Sequence, residues 1–200
     1  MKDYDWQYLL KTYQRLVKPN FTVLEIGASN LSRTNDLSIY CQKIIGVEYQ
    51  KDRLPKNKKN IYYVLGDWQK LTKFIKPNTI DLAISSHTIE HVSNDLLALN
   101  ELYQVLKLDS YAIITTPNRK RLIRFLIELI TPERKFPYWE HIREYTESDL
   151  IELIKKTKFK KFKIIPIIFG FHFWKIRLCS TFVPHIFKKY ANCWEIILKK

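Results

Sequence analysis

Short apolar runs alternate with stretches whose hydrophobic side chains recur every third or fourth position. Residues 3–17 carry Tyr4, Tyr8, Leu9, Tyr13 and Leu16 at helical spacing, and Lys18-Pro19-Asn20 ends that pattern because proline cannot continue a helix. Buried strands are predicted at 21–26, 43–48, 61–65, 80–85 and 111–116, several of them closed by Gly27, Gly66-Asp67 or Pro117-Asn118. Helices are predicted at 31–40 and 94–106, the second with Leu97, Leu102, Val105 and Leu106 facing inward. Short strands alternating with helices imply a parallel sheet covered on both faces, with ligands bound beyond the carboxyl ends of its strands.

After Asn118 the rhythm changes. Residues 119–130 read as a basic amphipathic helix, followed by an aromatic loop through Pro132, Pro137, Tyr138 and Trp139. Thr146-Glu147-Ser148-Asp149 starts another helix, since a threonine hydroxyl can cap free backbone N–H groups. Late strands are predicted at 162–168 and 193–198. Between them lies an aromatic and basic stretch, 169–178, continued by Phe182, Val183, Ile186 and Phe187.

Composition narrows the class. An apolar fraction of 46% with 14% aromatics excludes an intrinsically disordered chain. No charge-free apolar run is long enough to span a bilayer, and the first residues lack the build of a secretory signal, so a cytoplasmic protein is expected. Cys41, Cys179 and Cys193 are far apart and form no CxxC pair, which predicts reduced thiols rather than disulfides or a zinc knuckle. The net charge of +14 favours anionic partners: nucleic acid, acidic lipid or phosphorylated substrates.

The strand ends carry the candidate chemistry: Glu25-Ile26-Gly27-Ala28-Ser29, Glu48-Tyr49, Gly66-Asp67-Trp68 and Ser85-Ser86-His87. Glycine after the first strand lets backbone approach a ligand, an acid after the second can hold ribose hydroxyls, and an acid after the third can accept from an adenine amine. In order and spacing these pieces resemble class I S-adenosylmethionine-dependent methyltransferases of the type 11 group. The resemblance extends through Ile89-Glu90-His91-Val92, Asn100–Lys107, Thr115-Thr116-Pro117-Asn118 and His141-Ile142-Arg143-Glu144-Tyr145-Thr146.

The resemblance implies a Rossmann-like, doubly wound α/β fold: a mostly parallel sheet of about seven strands, with a C-terminal antiparallel hairpin carrying an insertion. It implies one domain over 1–200, with an N-terminal helix at 1–18, a cofactor-binding half at 21–118 and a substrate-side half at 119–200. Glu25, Gly27, Ala28 and Ser29 would line the methionine and ribose of S-adenosylmethionine, and Glu48 would hold the ribose. Tyr49, Asp67 and Trp68 would surround the adenine, and Ser85, Ser86 and His87 would wall the sulfonium. The chain departs from the family at Ser29 and Leu31, where further glycines are usual.

His87 and His91 are the expected catalytic residues, with His141 a third candidate base for an acceptor that must lose a proton. The string His87-Thr88-Ile89-Glu90-His91 also spells HxxEH, but zinc chemistry on that motif needs a regular helix, and here it follows a strand directly. No metal is expected. The expected acceptor is a small molecule or a lipid- or nucleotide-linked glycan, with peripheral contact to an anionic membrane. The rival readings are RNA methylation, ranked lower because no RNA-binding module is appended, and a catalytically silent scaffold.

Overall fold

The computed structural model describes residues 4–131, 135–137, 141–173 and 176–200, and of Phe125 and residues 171–173 and 176–178 the backbone only. The expected positions Pro132, Tyr138, Trp139 and Trp174 lie outside these descriptions. The first half runs α1 (Tyr4–Leu16), β1 (Thr22–Ile26), α2 (Leu31–Ser38), β2 (Lys43–Glu48), β3 (Ile61–Leu65), β4 (Ile80–Ser86), α3 (Asp95–Val105) and β5 (Leu106–Pro117). The second runs α4 (Arg124–Ile130), α5 (Glu147–Lys155), β6 (Lys161–Ile167), β7 (Phe169–Phe173), β8 (Ile176–Ser180) and β9 (Cys193–Lys199).

Seven strands form one sheet in the order β3-β2-β1-β4-β5-β9-β6. β1 to β5 pair in parallel, and β9 enters antiparallel between β5 and β6. β7 and β8 form the separate antiparallel hairpin that occupies the connection between β6 and β9. Because β6 and β5 both run against β9, β6 ends at the edge where the parallel strands end, and the hairpin emerges there.

Both faces of the sheet are covered, which is why β1 is buried at every position from Val23 to Ile26 rather than at alternate ones. Val23 packs in the layer with Leu9, Tyr13 and Leu37 of α1 and α2, while Leu24 packs in the opposite layer with Leu99, Leu102 and Ile154 of α3 and α5. Asn30 caps α2 by accepting from Ser32 and Arg33 N–H, Asn94 caps α3, and Thr146 with Asp149 forms a capping box on α5.

Some expectations are corrected. Leu97 of α3 is 43% exposed, and Ala98 and Leu99 face the core in its place. Leu106 leaves the helix for β5, where it pairs with Ile80 before a register shift, so that strand starts earlier than the turn-like Lys107-Leu108-Asp109 indicates. The basic helix begins only at Arg124, because residues 118–121 turn sharply through the Asn118 side chain, which accepts from Lys120 N–H.

Candidate active site

The parallel register brings the ends of β1, β2, β4 and β5 together: Ile26 lies beside both Val47 and Ser85, and Ser86 beside Thr115. At this rim the chain leaves β1 through Gly27, whose φ of +81° is a conformation that side-chain-bearing residues rarely adopt. A Cβ on Gly27 would stand 2.3 Å from Thr88 Oγ1. Gly27 and Ala28 N–H both donate to Val47 C=O, at 2.9 and 3.2 Å, which presses the first loop against β2. Ala28 is fully buried and Ser29 exposed, so of the two only Ser29 faces outward from this turn.

Glu25 is 5% exposed, and its Oε2 has no hydrogen-bond partner. Burial raises its pKa to about 7, against the opposing pull of Thr34 and Arg33. Ser85 Oγ is likewise buried without a partner. These are polar atoms at the rim that a polar ligand could satisfy. Glu48 is buried at the end of β2, one oxygen braced by Gln50 N–H at 2.9 Å, and Tyr49 beside it is exposed. Ser86 Oγ accepts from Arg33 Nη1 and from Thr115 Oγ1, both at 3.3 Å. The orphaned carboxylate oxygen, the glycine turn and the braced Glu48 fit a ligand carrying ribose hydroxyls and an amine, as S-adenosylmethionine does.

The third strand end departs from expectation. Asp67 caps the 3-10 helix at Trp68–Lys73, accepting from Gln69 N–H at 2.9 Å and Gln69 Nε2 at 3.1 Å. Trp68 is 3% exposed and packs among Leu24, Val47 and Leu71, so its indole supplies core volume and no face for a base.

His87 follows β4 with a φ of +51°, a strained backbone for a non-glycine residue, while its N–H still extends the ladder to Thr115 C=O. That conformation sets the ring between Asp5 Oδ2, 3.1 Å from Nε2, and Glu90 Oε1, 3.4 Å from Nδ1. Burial disfavours the charged ring, but the contacts to Asp5, Cys193 and Glu90 outweigh it and hold His87 well above the usual histidine range. Burial likewise opposes the charge on Asp5 and Glu90, and His87 outweighs it, leaving both carboxyls below theirs. Arg33 lies 5.2 Å over the Trp6 ring, and Trp6 Nε1 donates to Asp36 Oδ2, so α1 is fastened across the start of α2.

A second group flanks this one. His91 ends a 3-10 helix at Ile89–His91, and His141 approaches it edge-on with ring centroids 4.9 Å apart. His141 Nδ1 lies 2.9 Å from Glu144 Oε1, and Glu144 is clamped by both terminal nitrogens of Arg121. Asp5, Arg33, Thr88, Glu90 and Glu144 are the participants that strand-end reading missed. Asp5 stands 82 positions from its partner His87 and carries no local signal, whereas Glu90 was visible in the HxxEH string.

Residues 24–114 match the methyltransferase domain family. The fold is that of a SAM-dependent methyltransferase from Thermotoga maritima, at 21% identity over 98% of this chain and 90% of that one, with a TM-score of 0.69. A SAM-dependent methyltransferase from Archaeoglobus fulgidus gives 20% identity over 97% and 92%, with a TM-score of 0.69. Phosphoethanolamine N-methyltransferase 2 of Haemonchus contortus, solved with S-adenosyl-L-methionine, gives 18% identity over 80% of this chain and 38% of that one, with a TM-score of 0.61. No curated protein matches the sequence. The methyltransferase domain family thus matches the donor-side strands, and the sheet, whose last strand runs reversed between β5 and β6, has the fold of these solved methyltransferases.

Proposed function

We propose that the protein methylates a small, phosphate-linked polar acceptor, a lipid- or nucleotide-linked glycan, presented at an anionic membrane surface. One observation carries the acceptor side: the β7–β8 hairpin rises from the same sheet edge as the donor rim, followed by exposed Phe182 and Ile186 and by Lys188 and Lys189. An apolar and basic lobe there would hold an amphiphilic, anionic substrate against the rim. Asn118 ties the lobe to the end of β5 by donating to Lys189 and Ala191 C=O. No helix among the described residues is long and apolar enough to cross a membrane, so the contact would be peripheral.

The basic stretch at 119–124 contributes less than its composition implies. Arg119 pairs with Glu128, Arg121 with Glu144, and Arg124, 3% exposed, with Glu128. Those guanidiniums are spent within the fold, which leaves the lobe lysines as the membrane-facing charge.

Bound S-adenosylmethionine supplies an electrophilic methyl carbon on a sulfonium. Glu25 and Ser85 would receive the polar end of the donor, Glu48 the ribose and Tyr49 one face of the base. Alignment of donor and acceptor can provide most of the acceleration. Asp5 and Glu90 favour the charged form of His87, which suits it to act by charge and position rather than as the acceptor's base. His91 and His141 stand where the acceptor would enter.

Transfer of a labelled methyl group from S-adenosylmethionine to lipid-linked and nucleotide-linked sugars tests the acceptor. Flotation with neutral and anionic vesicles tests the surface, and equal recovery with both would count against it. Salt-sensitive binding to RNA without lipid preference would transfer support to an RNA acceptor. Absence of any heat with S-adenosylhomocysteine would leave a silent scaffold.

A further inference from the structure

We propose that Glu90, His91 and His141 form a site for one divalent transition-metal ion, zinc or manganese, at the acceptor mouth. Each of the three offers a ligand atom, and these atoms lie within 4.8 Å of one another. An imidazole pair with one carboxylate suits a borderline cation and leaves coordination positions open. Ligand–metal distances of about 2.1 Å would require these atoms to close in by roughly 1 Å, within reach of small side-chain rotations.

Three features distinguish this cluster from a chance meeting of polar groups. First, the Glu90 carboxylate is completely buried, yet its Oε1 has no hydrogen bond; His87 Nδ1 at 3.4 Å is close enough for charge attraction but not aligned to donate. Second, the surroundings of the ligands follow the pattern of metal sites, in which each ligand is oriented by a neighbour. His141 Nδ1 is engaged by Glu144, itself fixed by Arg121, and Thr116 Oγ1 donates to Glu90 Oε2 at 3.0 Å. Third, the two segments are fastened by hydrogen bonds to backbone carbonyls, two of them from the Arg143 guanidinium. Ile142 N–H donates to Glu90 C=O at 3.0 Å, and Arg143 donates to Val92 and Ser93 C=O at 2.6 and 2.8 Å. The ligands are therefore held together before any ion arrives.

A metal here departs from the expectation of none, and it gives His91 a ligand's part in place of a base's. The HxxEH string is involved, but not as a helical zinc motif: Glu90 and His91 come from its 3-10 turn and the third ligand from His141. The ion's use rests on the proposed methyl transfer, since a cation there would coordinate an acceptor hydroxyl and make its proton easier to lose to solvent. Its existence does not depend on that reading.

Calorimetry of tag-free, chelator-treated protein with zinc chloride and with manganese chloride tests the site. One ion per chain is expected, with affinity falling at least about tenfold in His91→Ala and in His141→Ala. Glu144→Gln, which leaves all three ligands in place, is expected to weaken binding by roughly tenfold through the freed imidazole. Cys193→Ser keeps full affinity. His91 is exposed, so its variant folds, and thermal melts check each protein. Absence of saturable binding by either metal overturns the site. So does binding lost in Cys193→Ser but kept in His91→Ala and His141→Ala, because the ion would then belong to Asp5, His87 and Cys193. Calorimetry with S-adenosylhomocysteine on the same metal-free protein separates the two readings: heat there with no metal heat sinks the site alone, and the converse sinks the donor assignment alone.

Discussion

Asp5 in the first turn of α1 meets His87 Nε2 at 3.1 Å, joining the N-terminal helix to the strained residue after β4. Their side chains are 30% and 28% exposed, so solvent screens part of the attraction. Asp5→Asn is expected to cost about 1 kcal/mol at neutral pH, read by urea denaturation. Because the contact is mutual, a double-mutant cycle with His87→Asn should show coupling of similar size. Additive losses in the cycle would mean that the helix is held by Trp6 and its aliphatic neighbours alone.

Gly27 allows no side chain. Alanine there would meet both a φ of +81° and Thr88 Oγ1 at 2.3 Å. Gly27→Ala is expected to destabilise by about 2 kcal/mol or more, the conformational part being roughly 1 kcal/mol. Adding Thr88→Ala removes the hydroxyl but not the φ, so the double variant should recover only part of the loss. Full recovery would show that the backbone relaxes without strain.

These two positions mark what sequence alone could and could not show. Gly27 was legible because a strand followed by glycine is a local pattern, and the same locality made β2 and β3 readable to the residue: β2 is an apolar run between Lys43 and Glu48, and β3 an apolar run stopped by Gly66-Asp67. Asp5 was not legible, since nothing in Tyr4-Asp5-Trp6 records that the sheet will carry His87 beside it. Trp68 misled because an aromatic after Asp67 looks like a base-stacking residue, while its side chain is drawn into the layer under α3. The arginines at 119–124 misled in the opposite way. Their charge was plain in sequence, but their partners Glu128 and Glu144 become neighbours only after the chain turns at Asn118.

Glu48 and Trp68 should therefore part company in binding experiments. Glu48→Ala is expected to weaken S-adenosylhomocysteine by about tenfold to a hundredfold, the worth of a charge-assisted hydrogen bond or two to ribose. Trp68→Phe should leave that affinity within about twofold and instead lower stability by about 1–3 kcal/mol, because it empties volume in a packed layer. Calorimetry and a thermal melt on both variants decide this. A large affinity loss in Trp68→Phe with an unchanged melt would return the indole to the adenine site.

Glu195 on β9 gives the pH prediction that lies away from the donor rim. It is fully buried, with Oε2 accepting from Thr12 at 3.0 Å and Oε1 unpartnered. Burial raises its pKa from 4.5 to about 7, against Thr12, Arg15 and Lys163. Between those two values the folded chain keeps a proton that the unfolded chain has released, so stability falls as pH rises through that window and levels off above it. The shift corresponds to about 3 kcal/mol at most, at about 1.4 kcal/mol per unit. Glutamine keeps the shape without the ionisation. Glu195→Gln is thus expected to match the parent at about pH 3, where the carboxyl is protonated in both states, and to exceed it by about 2 kcal/mol at pH 8. Glu25, raised to a similar value by its own burial, keeps its share of the slope, so the variant's pH dependence should shrink without vanishing. A gain of equal size at both pH values would assign the effect to packing rather than to the proton.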